Sequence, residues 1–197
     1  MEQRTEHVEI EGTGFVARLT PGGRVGLLAL HASNEGGTGE LAETVARRTG
    51  ATSLVFTQPD APRPVHITSR RMAVDHCMLL KDFLAHVRIT VSLHGHMRST
   101  AIFVGGGNRD AAHLLASGLS ALHPEFPLVT DLARIPAALR GLHAGNPVNM
   151  ARDGGVQLEL PLPARTSGAT DVPPRRVVDA LTAGVRLLAA RAVTPPR

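Results

Sequence analysis

Two apolar runs constrain this chain more than any other feature. Residues 24–31 (RVGLLALH) and 87–94 (VRITVSLH) are both too short for a helix, and both break off at a histidine. The first is a continuous apolar run of the kind that makes a strand buried on both faces. Such strands need covering elements above and below, and the sequence between them supplies one. Residues 38–50 (TGELAETVARRTG) read as a helix with Thr38 as expected N-cap, Glu40 and Glu43 near the positive end, Arg47 and Arg48 near the negative end, and Gly50 as stop. Leu41 and Val45 share its buried face.

The alternation continues to the end. Strands are expected over 52–57 (TSLVFT), 101–107 (AIFVGGG) and 155–162 (GVQLELPL), and helices over 72–86, 108–123 and 175–193. The last helix carries Val177, Leu181, Val185 and Leu188 on one stripe. Ahead of everything, residues 7–12 and 14–20 alternate polar and apolar as half-exposed strands do. This order predicts an α/β fold: a single-domain, open, twisted mixed sheet with helices on both faces. The 197 residues suit one domain spanning 1–197, with a catalytic core of about 24–160, a surface linker over 161–174, the C-terminal helix 175–193 and a frayed TPPR end.

A composition of 43% hydrophobic and 19% charged residues can bury a core, which excludes a disordered chain. No apolar run approaches the ~20 residues that span a bilayer, and the polar, acidic start is unlike a signal peptide. The expectation is a soluble, cytoplasmic protein with no membrane partner. A lone Cys77 excludes an intrachain disulfide and a four-cysteine zinc ribbon. The net charge is +4, carried almost wholly by arginine, whose fork suits carboxylates and phosphates. Trp and Tyr are both absent, so the stacking platforms used on single-stranded nucleic acid are poorly supplied and no nucleic-acid partner is expected.

In open α/β sheets, ligands bind at the carboxyl ends of the strands. Three strands here carry ionisable residues at or near that end: His31, His94 and Glu159. Glu35 follows His31 in an H-x3-E spacing. Two histidines and one carboxylate fill three corners of a zinc tetrahedron and leave the fourth for water, the arrangement of catalytic sites. Each residue also has a plainer reading. A histidine can simply cap an apolar strand, and Glu159 can be a solvated residue alternating with buried Val156, Leu158 and Leu160. Repetition favours the metal, since Ala32-Ser33 and Gly95 follow the two histidines with small residues that permit close approach. The run FVGGGNRD offers a rival, non-catalytic function: a phosphate or nucleotide held at the Gly105–Gly107 turn, although neither the P-loop nor the dinucleotide pattern is matched.

Taken in order, LALHASNEGGTGELA, VHITS, VSLHGH, IFVGG and GVQLEL resemble the zinc-dependent poly-γ-glutamate hydrolases, including phage-encoded members, over about residues 24–160. The resemblance implies a carboxypeptidase-like zinc peptidase fold. It also implies a zinc ion held by His31, Glu35 and His94, Glu159 as general base, and an acidic polymer with γ-glutamyl amide bonds as substrate. The loop after His31 is one residue shorter than the family's, which makes Glu40 a rival ligand, and His96 stands where cysteine is commoner. Arg152 and Asn149, in NPVNMAR, resemble the stretch before the family's catalytic strand. With Arg98 and with His66 of VHITS, they are the candidate substrate-binding residues, a guanidinium being suited to bidentate carboxylate recognition.

Overall fold

The computed structural model describes residues 2–72 and 74–193; the TPPR end lies outside them. The strands are β1 (Arg4–Ile10), β2 (Thr13–Thr20), β3 (Gly23–Ala29), β4 (Ala51–Thr57), β5 (Ile89–His96), β6 (Ile102–Val104), β7 (Leu128–Val129) and β8 (Gly155–Pro161). They form one mixed sheet in the order β1-β2-β4-β3-β5-β8-β6-β7. β3 is parallel to β4 and β5, and β5 is parallel to β8, so the two apolar runs and the Glu159 strand lie side by side at the centre, pointing the same way. The outer pairs β1–β2, β2–β4 and β6–β8 are antiparallel.

Helices cover both faces, as the sequence predicts. On one face α1 (Thr38–Thr49), α3 (Arg109–Leu119) and α5 (Arg175–Val193) pack Leu41, Val45, Leu115, Leu181, Val185 and Leu188 against Leu27, Val91, Leu93 and Leu158. On the other, α2 (Met78–His86) packs Leu80 and Phe83 with Leu28, Leu54, Phe56 and Met72. Among the described residues no helix is long and apolar enough to cross a membrane.

Local chemistry adjusts several expected boundaries. The helix expected over 72–86 begins at Met78, because Glu6 of β1 accepts hydrogen bonds from the Met78 and Leu79 N–H groups while Cys77 Sγ accepts from Leu80 N–H. Those three bonds satisfy donors that a longer helix would satisfy internally. Thr38 is not the cap of α1. Gly37 holds that position at φ 85°, where a residue with a Cβ is strained, and Thr38 Oγ1 instead donates to the Glu35 carbonyl at 2.9 Å. The 161–174 stretch is not all surface linker: α4 (Leu162–Arg165) follows β8 directly and buries Ala164 and Arg165.

Of the central strands, β5 and β8 are apolar on one face only. Thr90, Ser92, His94 and His96 of β5 and Gln157 and Glu159 of β8 alternate with the core residues, yet all six are buried. The segments 58–72 and 134–150 roof this polar stripe, and its contents are the chemically capable residues of the chain.

Candidate metal centre

His31, two residues beyond β3, and His94, near the end of β5, meet because their strands are parallel neighbours in register. Their Nδ1 atoms lie 3.2 Å apart. Glu35 enters from the loop after His31, which folds back through hydrogen bonds from Asn34 and Glu35 N–H to the His31 carbonyl. Its Oε1 is 3.4 Å from His31 Nδ1 and its Oε2 3.5 Å from His94 Nδ1. The shortened loop therefore still delivers the carboxylate, helped by the Gly95 N–H donating to Oε2 at 3.0 Å.

The far nitrogens decide what the near ones offer. His31 Nε2 faces the Ile67 carbonyl at 2.7 Å, an acceptor only, so Nε2 carries the hydrogen and Nδ1 presents a lone pair. His94 Nε2 lies 2.9 Å from Ser92 Oγ, a partner that accommodates the same tautomer. Two imidazole lone pairs and a carboxylate facing one another make a cation-binding set, with the outer-shell hydrogen bonds that metal-bound histidines usually have. Burial opposes charge on Glu35, but the neighbouring His94 and His31 imidazoles outweigh it, so its carboxyl titrates well below the usual range. Burial likewise opposes protonation of His94, and Glu35 and then Glu159 reverse it, raising the imidazole.

His66 stands against the same group, its ring 4.4 Å from that of His31 and its Nε2 3.9 Å from Glu35 Oε1. His31, Glu35 and His66 each offer a ligand atom, all within 4.8 Å of one another. The His66 segment is fastened by Asn34 Nδ2 to the Pro64 carbonyl and by Gln58 to both Val65 backbone groups.

Glu159 pairs across the ladder with His94 and is 3% exposed, so it is not the solvated residue of the plainer reading. Its environment lifts it to a pKa of about 7: burial is the largest cause, Glu35 adds repulsion, and His94 and the Gln157 amide pull the other way. Gln157 Nε2 donates to Glu159 Oε1 at 2.8 Å.

Other expected site residues fall elsewhere. Arg152 precedes β8 in a turn that Arg88 anchors through Asp153. The strand runs four residues from Gly155 to Glu159, ~13 Å at the rise of a strand, so Arg152 sits toward the other end of the sheet. Asn149 is spent on structure: its Oδ1 accepts from Gly107 N–H, and its Nδ2 donates to the Gly141 and His143 carbonyls. Arg98 is exposed just past the end of β5. Glu40 is exposed on the first turn of α1, outside the cluster. His96 Nε2 bonds the Ala101 carbonyl and its Nδ1 accepts from Arg98 N–H, which uses both ring nitrogens on the 96–101 loop.

The glycine turn is no phosphate cradle. Gly105 N–H donates to the Gln157 carbonyl, Gly106 N–H to the Arg140 carbonyl and Gly107 N–H to Asn149. Gly106 has φ 90°, and a Cβ there would stand 2.4 Å from the Gly155 carbonyl oxygen. These glycines permit close backbone packing, and the donors a phosphate requires are already used.

Sequence reasoning missed Arg165. It is 5% exposed, it donates from Nη1 to the Gly36 carbonyl at 2.6 Å, and it lies against Gly95. Its place in an expected linker concealed it.

Comparison with known proteins bears on the family and the fold. The sequence matches the family described as poly-gamma-glutamate hydrolase over residues 6–171. No curated protein matches it. Among solved structures, YNDL in a form described as apo and zinc-free superposes with a TM-score of 0.71 at 24% identity, covering 88% of this chain and 89% of that one. A bacteriophage poly-gamma-glutamate hydrolase gives 0.70 at 24% identity, covering 93% and 92%. Carboxypeptidase A from Helicoverpa armigera gives 0.54 at 10% identity over 97% of this chain and 69% of that one. The fold is carboxypeptidase-like.

Proposed function

Because the chain belongs to the poly-gamma-glutamate hydrolase family and is a hydrolase of the metallopeptidase kind, we propose that it cleaves γ-glutamyl amide bonds of poly-γ-glutamate or a similar acidic polymer. In this reading His31, Glu35 and His94 would hold a zinc ion and Glu159 is the general base. Bound there, zinc supplies Lewis acidity, bringing the pKa of water toward ~7 and polarising a carbonyl.

The observation that carries the reading is Glu159: a buried carboxylate with a pKa of about 7, in register with His94. A base poised near neutrality takes a proton from the attacking water and can return it to the departing amine. Gln157 holds one Glu159 oxygen, which fixes the carboxylate plane and leaves the other oxygen for that transfer. The Ile67 carbonyl keeps His31 in the tautomer that presents Nδ1, and Ser92 accommodates the same tautomer of His94. His66, which stands against the cluster, would meet substrate there.

The test joins metal content with cleavage. Purified protein should carry one zinc per chain and shorten poly-γ-glutamate while leaving α-linked polyglutamate intact. Full cleavage of the γ-linked polymer by protein stripped of metal, or none by zinc-loaded protein, would refute the reading.

A further inference from the structure

Arg165 is a buried cation with no carboxylate in contact, Glu35 and Asp171 acting on it only through space. It lies six residues beyond Glu159, on the short α4 that leaves the catalytic strand. Among the described residues no carboxylate oxygen comes within 4.0 Å of it. Buried guanidinium groups are ordinarily paired. Of its N–H groups, Nη1 is spent on the Gly36 carbonyl, Nη2 reaches only the Met97 sulfur at 4.0 Å, and Nε has no acceptor. A Cβ on Gly95 would be 2.6, 2.7 and 3.0 Å from Nε, Cζ and Nη2. Those near-equal distances mean that the flat face rests on Gly95, so the Nε–Nη2 edge is the part left unused.

That edge has the side-on fork geometry that receives both oxygens of a carboxylate. It is one residue from His94 through Gly95 and one residue from Glu35 through Gly36. Its cover at Nη2 is Met97, a flexible side chain that is itself 76% exposed. In a γ-linked glutamyl chain, the α-carboxylate of the amine-side residue is attached to the carbon that bears the amide nitrogen. A carbonyl placed at the metal centre brings that carboxylate close by.

We propose that Arg165 is the carboxylate-recognition residue of this site, taking a substrate carboxylate on its Nε–Nη2 edge after Met97 moves aside. The proposal rests on the hydrolase reading above and assigns the selectivity for acidic substrate to one side chain.

The experiment compares binding of glutarate and its neutral isostere glutaramide to zinc-loaded protein by calorimetry. Two variants are used: Arg165→Met, and Arg165→Gln, which keeps an amide donor for the Gly36 carbonyl. Zinc affinity is measured separately by chelator competition, and the preference is read from whichever variant retains zinc. Loss of at least fivefold in the glutarate-over-glutaramide preference is expected. A smaller loss, a wild-type protein without such a preference, or loss of zinc by both variants overturns the proposal, the last by showing that Arg165 serves only to seat the Glu35 loop. Polymer cleavage by wild type is scored independently. No cleavage with an Arg165-dependent preference sinks the hydrolase reading alone, and cleavage with an Arg165-independent preference sinks this proposal alone.

Discussion

Gln157 donates its side-chain amide to Glu159 two residues along the same strand at 2.8 Å, while its own oxygen accepts from Asn146 Nδ2 at 2.9 Å. The second bond fixes which end of the amide faces the carboxylate, so Glu159 is always met by a donor. That donor favours the ionised form and opposes burial. Gln157→Leu should therefore raise the Glu159 pKa and move the acidic limb of kcat/KM to higher pH, costing several-fold at pH 6 and less at pH 8. A limb that stays in place would show that Gln157 does not tune the base.

Glu159→Gln should keep zinc and reduce kcat by roughly 10²–10⁴-fold, the usual contribution of a general base. Near-wild-type turnover would remove Glu159 from the chemistry.

The same variant has a stability signature in metal-free protein. The folded-state pKa of about 7 lies above the ordinary 4.5, so the stabilisation by the protonated form is full below 4.5 and is lost as pH rises through 7. At ~1.4 kcal/mol per pKa unit the loss is on the order of 3 kcal/mol. Glu159→Gln does not titrate, so it should gain melting temperature on wild type between pH 5 and pH 8. Parallel melting curves across that range would contradict a buried, neutral Glu159.

Ligands and their supports should fail by different amounts. His31→Ala or His94→Ala should abolish tight zinc binding, whereas Ser92→Ala, which removes only the partner of His94 Nε2, should weaken it by roughly 10–100-fold. Glu40→Gln should leave zinc affinity unchanged, and chelator competition on the four proteins decides the assignment.

Gly106→Ala should destabilise the protein by ~2 kcal/mol or more in chemical denaturation, since it places a Cβ at φ 90° and 2.4 Å from the Gly155 carbonyl oxygen. Inorganic phosphate should not raise the wild-type melting temperature. A clear phosphate-dependent rise would restore the glycine turn as a ligand site.

Much of this arrangement follows from the order of residues alone. Apolar continuity in 24–31 marks a strand that must be covered on both faces, the alternation in 87–94 marks a second, and the helical periods between and after them determine an α/β sheet. The histidines that end those runs, with Glu35 and Glu159, fall at the carboxyl ends where such sheets bind ligands. What the chain order could not decide is which side chains share space across segments distant in sequence. Arg152 and Asn149 look like substrate contacts in NPVNMAR, yet strand direction carries Arg152 toward the far end of the sheet, and Asn149 spends its amide on the 107 and 141–143 backbone. Gly105–Gly107 look like an anion turn until their donors are found paired. Arg165 sits in what reads as a linker, and only the packing of the Gly36-Gly37 loop and Gly95 against it turns a surface arginine into a buried one. Periodicity is local and survives in the sequence. Burial of a polar group depends on what the rest of the chain lays over it, and that is a property of the folded molecule alone.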